Sequence, residues 1–158
     1  LVVNQQKRLV VGLAAARAFV ERLRATLRLG RRDFNVCFLD DREIRRMNVA
    51  YLGRRRPTDV LSFPWPGTGR VKAGAANAEF ANFLGDVVIS VETAQRNARR
   101  EGHSTRNEIR WLILHGLLHL LGYDHERDQG EMTSLELSMR ERLGIAGQGT
   151  GGRRRARR

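Results

Sequence analysis

The chain has one cysteine, three prolines, 6 % aromatic residues and no apolar run of membrane length. A lone cysteine, Cys37, excludes an internal disulfide and fits a reducing compartment. Its strand-like setting, Phe34-Asn-Val-Cys-Phe-Leu39, marks it as an inert buried thiol. A spanning helix needs about 20 consecutive apolar residues. The most apolar stretch, residues 111–123, is shorter and carries histidines, so no membrane helix is expected. No internal repeat or linker divides the chain. Residues 1–146 read as a single domain and residues 147–158 as a disordered Arg/Gly-rich tail.

Positive charge and apolar residues are abundant. Apolar residues make up 41 % of the chain, enough for a core, and the formal net charge is +12. Five arginines in Arg153-Arg-Arg-Ala-Arg-Arg158 account for part of it and leave +7 for the body. A strongly basic chain of this kind meets polyanions, with an affinity that falls as salt rises.

Hydrophobic spacing places the elements. A short strand is predicted at residues 1–4. In residues 6–29, Leu9, Leu13, Ala16, Val20, Leu23 and Leu27 recur at helical spacing, an amphipathic helix rather than a signal peptide. Residues 33–39 and 58–63 read as strands, the latter at an edge because prolines flank it. Residues 67–78 are Gly/Ala-rich and read as a mobile loop. A strand over 82–91 contains Gly85-Asp86. Helices are predicted from Asp40 or Asp41 to residue 52, and over 92–100 and 129–143, the last with Leu135, Met139 and Leu143 inward. Thr105-Arg-Asn-Glu108 matches a capping box and opens a further helix, apolar nearly all round and therefore central. The pattern is α+β: a small mixed sheet with packed helices. His103 reads as a turn or capping residue.

The chemistry concentrates in His115-Gly-Leu-Leu-His119-Leu-Leu-Gly-Tyr-Asp-His125, which holds three of the four histidines. Residues four apart share a helix face, so the first two imidazoles point the same way. Gly122 can end the helix in a left-handed turn and return His125 to the same point. Three convergent nitrogens suit one catalytic zinc ion with its fourth position open. The spacing is similar to that of the metzincins, which place a glutamate after the first histidine as the base for peptide hydrolysis. Gly116 stands there instead, so a peptidase lacks its proton acceptor. An interior helix glycine costs about 1 kcal/mol against alanine and marks close approach by a neighbouring strand or a substrate.

The histidine run resembles the signature of the YbeY family, bacterial endoribonucleases of ribosomal RNA maturation. Asn48-Val-Ala-Tyr51 with Pro57-Thr-Asp-Val-Leu-Ser-Phe-Pro64, Gly85-Asp-Val-Val-Ile-Ser90 and Gly102-His-Ser104 resemble further blocks of that family. The resemblance implies a zincin-like domain with a buried metal-binding helix, zinc held by His115, His119 and His125, and a cytoplasmic location. It further implies single-strand-specific cleavage tied to the 3′ end of small-subunit ribosomal RNA, with the small subunit as partner. Family members often carry arginine after the tyrosine matching Tyr51; this chain has Leu52, with Arg54, Arg55 and Arg56 nearby as candidate RNA contacts. No aromatic-rich motif specifies an RNA sequence. The general base stays open: Asp86 and Asp124 are candidates, Asp124 equally as an orienting group, while Glu108 fits its capping role. A non-catalytic ribosome-assembly factor with structural zinc and a zincin-type peptidase are the rival readings.

Overall fold

Period-two alternation separates the two faces of the central strands. A computed structural model describes residues 1–55, 58–66, 81–124 and 127–145. Strand β2 (Asp33–Leu39) turns Phe34, Val36 and Phe38 to one face and Asn35 and Cys37 to the other. It pairs in parallel with β1 (Val2–Asn4) on one side and with β4 (Phe83–Ser90) on the other. Strand β3 (Val60–Pro64) runs antiparallel to β4, giving the order β1-β2-β4-β3. The proline-flanked strand is thus an edge, as expected, although it begins at Val60 rather than at residue 58.

Among the described residues, five helices complete the α+β fold: α1 (Leu13–Thr26), α2 (Asp41–Leu52), α3 (Val91–Glu101), α4 (Thr105–Leu120) and α5 (Glu131–Arg142). The main core joins α1, α4 and α5 to Phe34, Val36, Phe38, Val87 and Ile89. On the opposite face, Ile44 and Met47 of α2 cover Leu39, Leu61 and Val88. Helix α4 is the central one. Its Leu112, Ile113, Leu114, Leu117 and Leu118 are fully buried, each contributing about 1.5–3 kcal/mol. That far exceeds the cost of its interior glycine.

Side-chain caps set three helix starts. Asp40, Ser90 and Ser104 accept from the N–H groups of Glu43, Thr93 and Asn107 at the heads of α2, α3 and α4. Asp41 ties α2 to α3: it accepts from Ser90 Oγ (2.5 Å), Thr93 Oγ1 (2.6 Å) and Arg96 (2.7 Å). Burial pushes its carboxyl up, but these hydrogen bonds and the Arg96 charge hold it below the ordinary value. Burial, aided by the charge of Asp86, raises the Cys37 thiol, in keeping with an inert cysteine.

Two sequence expectations are corrected. The first helix starts at Leu13, not at residue 6. The Gln6 side chain accepts from the N–H groups of Arg8 and Leu9 and donates to the Leu9 carbonyl. This local loop competes with helix. The capping box is also displaced: Ser104, not Thr105, is the N-cap. Glu108 lies one position beyond the box that this cap defines, and its buried carboxylate meets His103 Nε2 at 3.1 Å. The expected 67–78 loop and the 147–158 tail lie outside the described residues, and among the described residues no helix is long and apolar enough to cross a membrane.

Candidate metal centre

Helix α4 carries His115 and His119 on one face, and their Nε2 atoms approach to 3.1 Å. Beyond Leu120 the chain reverses: Gly122 adopts φ 94°, and the Tyr123 N–H returns to the Leu118 carbonyl. That left-handed turn is the one expected from the sequence. It brings Tyr123 and Asp124 to the cleft that the two histidines line. His125 itself lies outside the described residues.

Gly116 explains how the helix reaches its strands. A Cβ there would sit 2.5 Å from Val87 Cγ1 and 3.2 Å from Ser62 Oγ. Ser62 Oγ also donates to the Gly116 carbonyl at 3.1 Å. The close approach is therefore made by strands β4 and β3. A glutamate at this position would start against a stiff β-branched side chain, so the zincin peptidase base has no room here.

The cleft has a volume of about 960 Å³ and runs along β3. Tyr51, Leu52 and Arg54 line it from the end of α2, and Arg127, Asp128 and Glu131 from the approach to α5. Two of its carboxylates do structural work. Asp128 accepts from the Gly130 and Met132 N–H groups at the head of α5, and Asp59 accepts from Val60 N–H and Asn97 Nδ2. Asp124 faces Arg127 at 3.6 Å.

The other residues singled out from sequence are dispersed. Asp86 lies on the α2 side of the sheet, where Asn35 Nδ2 donates to it at 2.9 Å, and it does not line the histidine cleft. Of the three adjacent arginines, Arg54 lines the cleft. Arg55 is exposed outside its lining and accepts from Arg45 Nε through its carbonyl, and Arg56 is not among the described residues. His103 remains at the head of α4, remote from the cleft; its Nδ1 meets the Ser104 carbonyl at 3.2 Å.

One residue of the site went unread in the sequence. Glu136 of α5 is 3 % exposed, and its Oε1 lies 2.5 Å from His115 Nδ1. With Nδ1 on this contact, Nε2 of His115 faces Nε2 of His119 in the cleft. Two nitrogens bound at about 2.0–2.1 Å in tetrahedral array stand about 3.3 Å apart, close to the 3.1 Å found. Imidazoles so placed suit a borderline-soft divalent cation such as zinc, though also nickel, copper or iron.

A family model described as Endoribonuclease YbeY matches residues 3–144. The chain is 39 % identical over 131 residues to the Endoribonuclease YbeY of Syntrophus aciditrophicus, covering 83 % of this chain and 78 % of that protein. It is 41 % identical over 114 residues to the Endoribonuclease YbeY of Nautilia profundicola, covering 72 % and 74 %. The solution structure of TM1509 from Thermotoga maritima shares the fold, with a TM-score of 0.60 at 23 % identity, covering 97 % of this chain and 100 % of that one. By sequence over most of its length, the chain belongs to the Endoribonuclease YbeY family.

Proposed function

We propose that this chain is a zinc-dependent endoribonuclease that cleaves single-stranded RNA in the cytoplasm. Its role is maturation of the 3′ end of small-subunit ribosomal RNA, and ribosome quality control. The observation that carries this reading is the family match across residues 3–144. His115, His119 and His125 would hold one zinc ion per chain. When bound, zinc supplies a Lewis acid for phosphodiester oxygens, whose charge grows in the transition state.

The protein's own groups do the rest. His115 presents Nε2 to the cleft because Glu136 occupies Nδ1. Arg54 and Arg127 stand at the cleft wall, where guanidinium groups pair with backbone phosphates. Leu52 at the cleft wall carries no charge, and Arg54 supplies it instead. Asp124, at the wall and 3.6 Å from Arg127, is a candidate for moving a proton. The basic body and tail add salt-dependent RNA affinity.

The test compares single-stranded and duplex RNA as substrates, with and without a chelator. The reading expects cleavage of the single strand only, lost with chelator and restored by zinc. Cleavage indifferent to chelator, or RNA binding without any cleavage by zinc-loaded protein, contradicts it. The second outcome favours an assembly factor with structural zinc.

A further inference from the structure

Helix α5 is docked on the histidine helix through two matched side-chain rungs. His115 Nδ1 meets Glu136 Oε1 at 2.5 Å, and the Arg140 guanidinium lies 4.3 Å from the centre of the Trp111 ring. Trp111 and His115 are four apart on α4; Glu136 and Arg140 are four apart on α5. Each pair lies one above the other on its helix, so the rungs form a ladder between opposed helices. Met132 and Met139 of the same helix are buried in the main core. The two rungs hold the Glu136 carboxylate in place at one edge of the His115 ring.

A buried carboxylate is expensive unless fully paired. Glu136, 3 % exposed, is held on His115, whose Nε2 faces His119 in the cleft. We propose that Glu136 is a positioning residue: it fixes His115 in the Nδ1–H tautomer and thereby couples the docking of α5 to the capture of a divalent cation at Nε2. This rests on the metal reading above for its second half only. The first half is a property of the metal-free chain. Histidine ligands of metals are commonly held in this way, and loss of the outer partner lowers metal affinity about ten- to a hundredfold. The coupling is reciprocal: an ion that favours the oriented ring also favours the docked helix.

Glu136→Gln is the discriminating variant. It keeps volume and can still hydrogen-bond, but its amide can either accept from or donate to Nδ1, so it no longer dictates the tautomer. The experiment uses the full-length chain, stripped of metal, and reads the ¹⁵N shifts of the His115 ring. Zinc affinity is then measured by competition with a chelator, in wild type, Glu136→Gln and His119→Ala. Amide exchange of residues 131–142 is followed with and without zinc.

Wild type is expected to show a single Nδ1–H tautomer, and Glu136→Gln a mixture. The variant should bind zinc about ten- to a hundredfold more weakly while its metal-free circular dichroism matches wild type. Zinc should slow exchange across α5 in wild type and much less in the variant. An unchanged tautomer together with unchanged zinc affinity overturns the proposal. Should wild type bind no zinc, or His119→Ala bind it equally well, the metal reading falls. The tautomer of the metal-free chain then still decides whether Glu136 positions His115. If Glu136→Gln fails to fold, Glu136→Asp, which keeps the acceptor and shortens its reach, is expected to weaken zinc binding while retaining the Nδ1–H tautomer. Wild-type affinity in that variant counts against the proposal.

Discussion

Helix α4 carries a histidine–glutamate pair at each end, and the two pairs are built for different work. At its head, His103 touches Glu108 through Nε2 (3.1 Å) and the Ser104 carbonyl through Nδ1 (3.2 Å). Both ring nitrogens face acceptors, and the ring serves the cap of the helix. Toward its tail, His115 touches Glu136 through Nδ1, but its other nitrogen faces a second imidazole in an open cleft. Both glutamates are buried, at 1 % and 3 % exposure, so burial alone does not distinguish them. The difference lies in what the second ring nitrogen of each histidine meets. The His103 ring lies between two acceptors, whereas the His115 ring lies between a carboxylate and a second imidazole, the arrangement that the proposed metal site needs.

The largest effect should come from opening the second pair on its cleft side. His119→Ala is expected to reduce single-stranded RNA cleavage by more than about a hundredfold, past the range for outer partners of a ligand. The metal-free protein should unfold in urea close to wild type. Full activity in that variant would erase the distinction between the two ends. Breaking the first pair should do the reverse. Glu108→Ala removes the carboxylate that the half-buried His103 ring meets and is expected to cost about 1–2 kcal/mol of stability in urea, the scale of a lost hydrogen bond. Zinc affinity of the folded protein should stay within about threefold of wild type. A zinc defect in Glu108→Ala as large as that of Glu136→Gln would show that the ends are not separate.

Gly116 lies next to His115 and tests how tightly the helix must sit. Gly116→Ala gains about 1 kcal/mol in helix propensity but drives its Cβ into Val87. Overpacking costs about 1–3 kcal/mol, so a net loss of about 1 kcal/mol is expected by urea unfolding. Adding Val87→Ala should recover less than its own cavity costs when made alone, but more than simple additivity allows. Strict additivity would deny the contact.

Asp41 supplies the smallest effect and a control remote from both pairs. Its carboxyl sits below the ordinary value, so the stability it contributes is present above about pH 4, the ordinary aspartate range. That contribution fades as pH falls through the lower folded value. Asp41→Asn should therefore lose about 1 kcal/mol at neutral pH. The gap to wild type should close in strong acid, with zinc affinity unchanged throughout. A gap that persists in acid would assign the loss to packing.

The sequence revealed the parts of the site that are local in the chain. His115 and His119 share a face by helical period, and Gly122 announces the turn that follows. Gly116 was readable as a point of close approach because an interior glycine has a cost that something must justify. That the neighbour is Val87 was not, because strand and helix meet across the fold. Glu136 shows a signal that can be read and was missed. Met132, Glu136, Met139 and Leu143 recur at helical spacing and are all buried, so a carboxylate stands on an apolar stripe and must have a buried partner. Leu135, expected inward, packs against the core at its edge, while Glu136 beside it is buried more deeply. The start of α1 was obscured for a different reason. Leu9 and Leu13 keep the helical period, but the Gln6 side chain satisfies the backbone of a loop that no periodicity reports.

The most direct measurement is a titration of zinc into the metal-free chain, following bound metal and single-stranded RNA cleavage together, in wild type and His119→Ala. The account predicts that wild-type cleavage rises with occupancy and saturates at one ion per chain, while His119→Ala neither binds with that affinity nor cleaves. Cleavage by metal-free protein, or zinc-dependent cleavage preserved in His119→Ala, would contradict it.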